Sequence, residues 1–408
     1  MIPEVRAKIE HIQLRSISEG YKKSKVGVIP DAWCCYQIHE CLSICNYERK
    51  PISEDVRKTI PGPYPYYGPT QAQGYIATYE SEGPAVLIGE DGDHFLKYKN
   101  QEMTMYVDGK YTVNNHAHVL RGTELCETKW FYYAYQHKSL FDAITRQGAG
   151  RYKLTKEALI KLSLQCPPIE EQKKIISILN TQDKVIKLKE KRLAEKQRQK
   201  KYLMQQLLTG KKRLPGFNGA WKTDCLGKLF FERKETNCEN IEMLAITGTQ
   251  GIIPRKELDL KDNSSEDKSK YLRVCVGDIG YNTMRMWQGV SAYSNYEGIV
   301  SPAYTILKPS SSINAKYFAY LFKMSEIVFL FYRFSQGLVD DTRNLKYENF
   351  KKIKVCYPPD MKEQTAIAEV LSAADREIDL LQQDIEQEKQ KKKALMQLLL
   401  TGVVRVTI

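Results

Sequence analysis

Apolar side chains recur at alternating spacings of three and four residues along two long stretches of the chain. This is the a/d pattern of a heptad repeat, in which one face of a helix packs against a partner helix. The first stretch has this seam at Leu179, Ile186, Leu193, Leu203 and Leu207. The second has it at Leu371, Ala374, Ile378, Leu381, Ile385, Leu395 and Leu399. The pattern therefore predicts two long coiled-coil helices.

The two stretches are copies of one repeated segment. The first runs from Pro167 to Gly210 and the second from Pro358 to Gly402. From Glu171 onward they keep a constant offset of 192 residues, since 363 − 171 = 192. A proline pair is typical of a helix start and a glycine of a helix end. The repeat divides the chain into two halves, each a body followed by a long helix. The alternative is a charged surface helix within a larger domain.

The charges of the two copies favour pairing with each other. Residues 169–213 hold 14 basic and 5 acidic side chains, whereas residues 361–405 hold 7 and 8. Both seams become polar at equivalent positions, which are Lys196, Lys200, Glu388 and Lys392. A strongly positive helix repels a copy of itself but not a helix with an acidic middle. We expect an antiparallel pair spanning roughly 55 Å, at about 1.5 Å per residue.

The two bodies repeat the same order of short β-like runs, an aromatic helix and a polar glycine loop. The first residues of the chain resemble the end of the repeated helix, so the chain is arranged as if circular. We therefore predict an α+β fold in which two pseudo-twofold-related α/β bodies are separated by two long antiparallel coiled-coil helices. The predicted segments are 1–20 (completing the circular repeat), 21–160 (first body), 161–212 (central helix), 213–350 (second body) and 351–408 (C-terminal helix).

Composition narrows the classes of partner that we expect the chain to bind. The formal charge of +13 and the isoelectric point near 9.0 favour a polyanion. No apolar run reaches the roughly 20 residues that span a bilayer, and the N-terminus has no apolar signal region. The ten cysteines lack the spacing of zinc ligands. We expect reduced thiols, no metal and a cytoplasmic location.

These features together resemble the specificity subunit of type I restriction–modification enzymes. The residues that carry the resemblance are PPIEEQKKI with QQLLTG, PPDMKEQTAI with LLLTG, the IPDAW join, and YNTMRMWQG with GIVSPAYTIL. The resemblance covers essentially the whole chain. It implies that the bodies are two target recognition domains, each reading one half of a bipartite DNA site. The helices would then set the gap between the half-sites and dock two modification subunits.

The resemblance also implies which chemistry lies in other chains. The family's modification subunits methylate adenine with S-adenosylmethionine, and its restriction subunits are ATP- and Mg-dependent translocase–nucleases. We expect this chain to hold no cofactor and no catalytic residue. Its own sequence has no G-x-G-x-x-G, no P-loop, and no side-chain amide or carboxylate ahead of either proline pair. The expected partners are double-stranded DNA, modification subunits and restriction subunits, with no membrane.

Candidate DNA-binding residues fall into groups that combine amides, guanidinium groups and aromatic rings, the groups that read base edges and phosphates. In the first body they are Tyr64, Tyr66, Tyr67, Thr70, Gln71, Arg146, Gln147, Arg151, Tyr152 and Lys153. In the second they are Thr249, Gln250, Arg285, Trp287, Gln288, Gln336, Arg343 and Asn344. The alternatives are local turn bonding for the Thr-Gln pairs, a packed turn for the tyrosines, a core Trp287 with surface charges around it, and simple loop solvation.

Two further groups have a structural interpretation that we prefer. The acidic residues Glu171, Asp360 and Glu363 resemble a nuclease set but lie at helix starts, where carboxylates stabilise the positive end of the helix dipole. His116 and His118 share a face but lack a third metal ligand. Two other functions stay open, a coiled-coil scaffold that does not read DNA and a self-sufficient DNA methyltransferase or nuclease.

Overall fold

The computed structural model describes residues 19–147, 151–238, 241–248, 251–258 and 267–406. The chain divides into two compact units. Unit 1 comprises Met1–Leu188 together with Ile385–Ile408, and unit 2 comprises Lys189–Asp384. Each long helix therefore contributes one segment to each unit. The N-terminal segment that we predict to complete the repeat lies outside the described residues up to residue 18.

The helices of the described residues are mostly short, apart from the two predicted from the heptad pattern. They are α1 Ile38–Cys41, α2 Glu54–Thr59, α3 Thr128–Tyr135, α4 Lys156–Lys161, α5 Ile169–Leu207, α6 Leu226–Leu229, α7 Ala315–Leu321, α8 Ser325–Phe334, α9 Tyr347–Phe350 and α10 Met361–Leu400.

The strands are short and form several small sheets. In unit 1 they are β1 Tyr21–Ser24, β2 Gly27–Pro30, β3 Cys34–Gln37, β4 Leu42–Ile44, β5 Pro61–Tyr67, β6 Ala72–Ile76, β7 Ser81–Glu82, β8 Ala85–Gly89, β9 Thr104–Val107, β10 Lys110–Val113, β11 Ala117–Gly122, β12 Thr145–Gln147, β13 Arg151–Lys153 and β14 Ser163–Cys166. In unit 2 they are β15 Lys222–Cys225, β16 Phe230–Glu232, β17 Leu244–Thr247, β18 Gly251–Pro254, β19 Leu272–Val274, β20 Ile279–Asn282, β21 Ser291–Tyr293, β22 Gly298–Val300, β23 Tyr304–Pro309 and β24 Lys354–Tyr357.

Unit 1 is built on an antiparallel sheet of order β4-β11-β8-β9 and a mixed sheet of order β6-β5-β10-β7. Strand β8 reads Ala-Val-Leu-Ile-Gly and is buried along its whole length, as expected of a central strand covered on both faces. Helix α3 packs against β8, β9 and β11. Its Trp130 ring meets Trp33 edge to face at 5.8 Å in the main core.

Unit 2 is built on an antiparallel sheet of order β16-β23-β20-β21, with β17–β18 and β19–β22 as separate pairs. Aromatic side chains dominate its core. Phe230 from β16 meets Phe318 of α7 edge to face at 5.4 Å, and Tyr281 from β20 stacks on Phe350 of α9 at 5.6 Å. The single aromatic helix predicted for this body is two helices, α7 and α8, with Phe318 and Phe331 in the core and Phe329 and Tyr332 exposed.

The long helices pair antiparallel within each unit. In unit 1, Gln182 Nε2 donates to Glu388 Oε2 at 2.5 Å and Lys392 Nζ lies 2.7 Å from Asp183 Oδ1. In unit 2, three ion pairs follow the same direction, from Lys189 with Asp384, through Lys196 with Glu377, to Lys200 with Asp375. Ascending numbers on α5 meet descending numbers on α10, which defines the antiparallel direction.

The heptad seam lies on the side of each helix that the protein covers. Every predicted seam residue of α5 and α10 is buried or half-buried. The polar seam positions of α5, Lys196 and Lys200, meet Glu377 and Asp375, which are next in sequence to the α10 seam residues Ile378 and Ala374. Because the pair is antiparallel, the polar seam positions of α5 do not face those of α10. Glu388 and Lys392 of α10 instead meet Gln182 and Asp183 of α5. The charge complementarity inferred from the sequence thus takes the form of a ladder along the helices.

Both helix starts carry a buried glutamate held by an arginine from the segment that follows the other long helix. In unit 1, Arg405 Nε and Nη2 donate to Glu171 at 2.6 and 2.8 Å, and Trp33 Nε1 donates to the same carboxylate at 3.1 Å. In unit 2, Arg213 donates twice to Glu363 at 2.5 and 2.7 Å. Both carboxylates are thus engaged in two-point ion pairs, as structural groups at a helix start.

Replacing Arg405 with alanine should destabilise unit 1 by about 3–5 kcal/mol at neutral pH, because it leaves the fully buried Glu171 carboxylate without its counter-ion. Urea unfolding followed by tryptophan fluorescence measures the change. Arg192→Ala is the matched control, since Arg192 forms an exposed 3.6 Å ion pair with Glu377 that is worth at most about 1 kcal/mol. Equal losses in the two variants would contradict the prediction.

Candidate nucleic-acid interface

The turn after strand β20 presents Arg285 and Gln288 to solvent. Met286 is buried beneath it and Gly289 adopts a left-handed φ of +78°, so the backbone reverses tightly around the buried methionine. Arg285 Nη1 donates to Gln288 Oε1 at 3.4 Å. The half-buried Trp287 donates from Nε1 to the Met284 carbonyl at 2.9 Å. A guanidinium and an amide thus lie side by side on this turn, and both are groups that can hydrogen-bond to base edges.

A closed loop lies beside this turn. The backbones of Gln336 and Asn344 pair antiparallel, with N–H to carbonyl distances of 2.8 and 2.7 Å, and so close a loop over residues 337–343. Leu345 N–H donates to the Thr283 carbonyl at 2.8 Å, which ties the loop to the turn. Gln336 is exposed, whereas the Asn344 amide donates to the Thr342 carbonyl and shapes the loop. At the tip, the Leu338 side chain is fully exposed.

Arg343 joins the loop and the turn through aromatic rings. Its guanidinium lies 4.1 Å from the Tyr332 ring centroid and 6.0 Å from that of Trp287, and the two rings meet edge to face at 6.2 Å. Phe329 stacks beside Tyr332 on helix α8. The structure thus brings two separately predicted groups, 285–288 and 336–344, into one surface, which we call the arginine–aromatic surface.

Sequence reasoning missed Tyr332 and Phe329. Tyr332 is 40% exposed and Phe329 is 57% exposed, although both lie in an apolar run that we assigned to the body's helix as a whole. Their three-residue spacing puts them on one face of α8, while Phe331 lies on the buried face. The spacing of these residues along the helix was the signal that could have identified Tyr332 and Phe329 as exposed. The other predicted pair of this body, Thr249 and Gln250, lies outside the described residues.

In unit 1 the predicted polar loop is a two-stranded hairpin of β12 and β13. Arg146 pairs with Tyr152 and Gln147 with Arg151 across the hairpin. Arg146 and Arg151 are exposed, and the Arg146 guanidinium lies 5.9 Å from the Tyr152 ring centroid. Lys153 is half-buried and its Nζ lies 3.4 Å from Glu90 Oε1. The side chain of Gln147 lies outside the described part of the chain.

The Thr70–Gln71 turn borders the same part of unit 1 as this hairpin. Gly68 N–H donates to the Gln71 carbonyl at 2.8 Å, and both Thr70 and Gln71 are exposed. The turn packs on the end of β8, where a Cβ added to Gly89 would lie 3.2 Å from the Pro69 carbonyl oxygen.

The hairpin of β12 and β13 packs next to the end of β8, at residues 90–92. Gly92 N–H donates to the Tyr152 carbonyl at 3.0 Å, and Leu154 N–H donates to the Glu90 carbonyl at 2.8 Å. The turn and the hairpin therefore adjoin at residues 89–92.

The three tyrosines of strand β5 differ in what they can contact. Tyr66 is 1% exposed, and its hydroxyl accepts from Ile52 N–H at 2.9 Å and donates to the Lys50 carbonyl at 3.2 Å. This corrects our interpretation of Tyr66, because a buried and doubly bonded hydroxyl presents no group to DNA. Tyr64 and Tyr67 are half-buried, and burial raises the pKa of Tyr67.

The two histidines have separate local partners. His118 is buried, with Nε2 2.8 Å from the Leu154 carbonyl and Nδ1 2.9 Å from the Asn46 amide, and burial lowers the pKa of its imidazole. His116 Nδ1 lies 2.8 Å from Asp91 Oδ2. These contacts fit the structural interpretation of the pair, since both rings anchor neighbouring loops.

A family model of the type I restriction modification DNA specificity domain matches this chain twice, over residues 30–198 and 227–390. The chain belongs to this family. The two matches coincide with the two halves of the repeat, each a body followed by most of its long helix. The resemblance and the fold class predicted from the sequence are thereby confirmed.

Two relatives in the specificity family match this chain along most of their length. A Haemophilus influenzae protein described as a type I restriction enzyme specificity subunit is 26% identical over 353 residues, covering 82% of this chain and 85% of the relative. The type I restriction enzyme MjaVIII specificity subunit of Methanocaldococcus jannaschii is 23% identical over 418 residues, covering 95% and 96%.

Solved structures show the same fold. The crystal structure of the type I restriction-modification S subunit from M. genitalium superposes with a TM-score of 0.61 at 14% identity, covering 94% of this chain and 99% of that one. A structure described as showing complex assembly and conformational transition of the type I R-M system superposes with a TM-score of 0.50 at 14% identity, covering 92% and 99%. Across the described ranges, none of the helices combines the length and hydropathy needed to cross a membrane.

Proposed function

We propose that this chain is the DNA-recognition subunit of a type I restriction–modification complex and that each body reads one half of a bipartite site. The observation that carries the proposal is the double match to the specificity domain, one match on each body and its helix. The +13 net charge supports binding to DNA, because lysine and arginine contacts to phosphates supply much of the affinity.

The second body offers the better-defined reading surface. Arg285 and Gln288 point to solvent from a turn held by buried Met286, and Arg343 is stacked against Tyr332. A planar guanidinium held in place by a ring loses little further freedom on binding, which suits it to bidentate contacts with guanine or phosphate. In the first body, Arg146, Arg151, Thr70 and Gln71 are exposed around residues 89–92 and take the corresponding role.

The long helices serve in this proposal as a spacer and a dock. Their ladder of ion pairs and seam residues fixes the register of α5 against α10, and that register determines the gap between the half-sites. Two modification subunits bind S-adenosylmethionine and methylate adenine in each half-site. Restriction subunits using ATP and Mg²⁺ join that complex. The chain itself performs recognition without catalysis, consistent with the engagement of Glu171 and Glu363 in structural ion pairs.

The decisive experiment is to co-express the chain with its modification subunit and to map N6-methyladenine across the genome by long-read sequencing. We expect one bipartite motif, two short specific half-sites separated by a fixed number of unspecified bases. A folded and assembled complex that methylates no bipartite motif would contradict the proposal. The purified chain alone provides the control, and we expect it to bind no S-adenosylmethionine and to cut no DNA in the presence of Mg²⁺.

A further inference from the structure

Three cysteines that are distant in sequence converge in the core of unit 1. The Sγ atoms of Cys41, Cys126 and Cys166 all lie within 4.8 Å of one another, and all three side chains are buried. Cys41 ends helix α1, Cys126 precedes helix α3, and Cys166 ends strand β14. No sequence motif links them, which is why the spacing of the cysteines predicted no metal site.

The distances suit a metal ion bound by thiolates. Zinc–sulfur bonds of about 2.3 Å separate the sulfurs of a tetrahedral site by roughly 3.8 Å, which falls within the observed limit. A disulfide would join only two sulfurs, at about 2.05 Å, and leave the third without a partner. All three cysteines are free thiols in the structure. Cys35 lies half-buried at the edge of the same apolar cluster, outside the group of three converging sulfurs.

The second unit shows how the same fold fills this place without sulfur. Helix α6 corresponds to α1, so Leu229 takes the place of Cys41. Strand β24 pairs with β15 as β14 pairs with β3, so Tyr357 takes the place of Cys166.

The third position follows from a matching hydrogen bond. Gln172 Oε1 accepts from Glu127 N–H at 2.9 Å, and Gln364 Oε1 accepts from Asn314 N–H at 2.8 Å, so Ile313 takes the place of Cys126. All three replacements belong to one apolar core cluster. Leucine, isoleucine and tyrosine fill the equivalent positions of the core in unit 2. Packing alone therefore does not require three cysteines in unit 1.

We propose that Cys41, Cys126 and Cys166 bind a thiophilic metal ion, zinc first, which fixes the start of the first long helix to its recognition domain. Cys166 is followed directly by the proline pair and by Ile169, the first residue of α5. Gln172 already ties that helix to the Cys126 segment, since its Nε2 donates to the Leu125 carbonyl at 2.9 Å. The metal adds a second tie at the same place. Each coordinated thiol releases its proton to solvent.

The test titrates the full-length chain, purified under reducing conditions and freed of metal by a chelator, with Cd²⁺ as a spectroscopic substitute for zinc. We expect one equivalent to bind, with the ultraviolet absorption of cadmium–thiolate bonds and release of a proton for each coordinated thiol. Cys126→Ser should lose the absorption, and Cys356→Ser, which removes an exposed thiol of unit 2, should retain it. Absorption that persists in Cys126→Ser, or that is lost equally in both variants, overturns the proposal.

A second measurement keeps the test independent of any folding defect in the Cys126 variant. Native mass spectrometry of the unaltered chain saturated with Zn²⁺ should show one retained ion, and the thermal unfolding midpoint of that sample should rise above that of the metal-free chain. A chain that retains no ion and whose unfolding midpoint is unchanged by Zn²⁺ contradicts the site. So does a chain whose mass shows a disulfide between two of the three cysteines in place of the ion.

Discussion

Replacing Arg285 with alanine is expected to relax one position of one half-site and to leave the other half-site unchanged. The side chain is exposed on a rigid turn beside the Gln288 amide, so it is free to make a bidentate contact with a base edge. Such a contact is worth roughly 1–3 kcal/mol of discrimination, or about 5- to 150-fold between bases. The methylation map of the variant complex measures the result as a position that accepts more than one base.

The control for this variant is Arg273→Ala in the same unit. The Arg273 guanidinium is engaged by two carboxylates, Glu235 at 3.2 Å and Glu297 at 2.6 Å, so its removal should leave both half-sites intact. A map in which Arg285→Ala weakens methylation at every site equally would identify Arg285 as a phosphate contact without a role in base choice. A map changed in the half-site of the first body would contradict the assignment of one half-site to each body.

Inserting one heptad into both long helices is expected to lengthen the gap between the half-sites while both half-sites keep their sequences. Both helices must be extended because they pair antiparallel, and a single insertion would move the Lys196–Glu377 and Lys200–Asp375 ion pairs out of register. Suitable places are between Leu188 and Lys189 and between Asp384 and Ile385, where the units divide. Seven residues add about 10 Å, close to three base pairs of DNA at 3.4 Å each.

The matched control inserts the same heptad into α5 alone. We expect that variant to lose stability, because the seam beyond the insertion keeps its heptad phase but its charged partners are displaced by two turns. Methylation mapping of the doubly extended complex measures the gap directly. An altered half-site sequence with an unchanged gap would contradict the separation of reading from spacing, and so would identical maps for the extended and original chains.

The long helices could be predicted from the sequence because their signal is local. Seam spacing, proline pairs and terminal glycines place α5 and α10 within a few residues of the observed bounds, and Gly210 and Gly402 do adopt the left-handed φ values of +71° and +74°. Their antiparallel direction came from the circular arrangement of the repeat. The specific ion pairs between the helices could not be predicted, because they depend on how two distant segments align.

The candidate surfaces could be predicted only in part. Arg285 and Trp287 lie in one short motif, so a local pattern could single them out as candidates. Their union with Arg343 depends on the Leu345–Thr283 hydrogen bond, which joins residues far apart in sequence. Tyr66 was misjudged for the same reason, since its burial is decided by the loop around Lys50 and Ile52.

The makeup of unit 1 bears on the order in which the chain folds during synthesis. Unit 2 is one continuous stretch, whereas unit 1 needs the last residues of the chain, where Arg405 pairs with Glu171 and the Gly402 carbonyl accepts from the Tyr21 hydroxyl at 3.0 Å. Unit 1 can therefore be completed only after the whole of unit 2 has been synthesised. Truncation before Ile385 would remove the Arg405–Glu171 and Gly402–Tyr21 contacts of unit 1 and leave unit 2 whole.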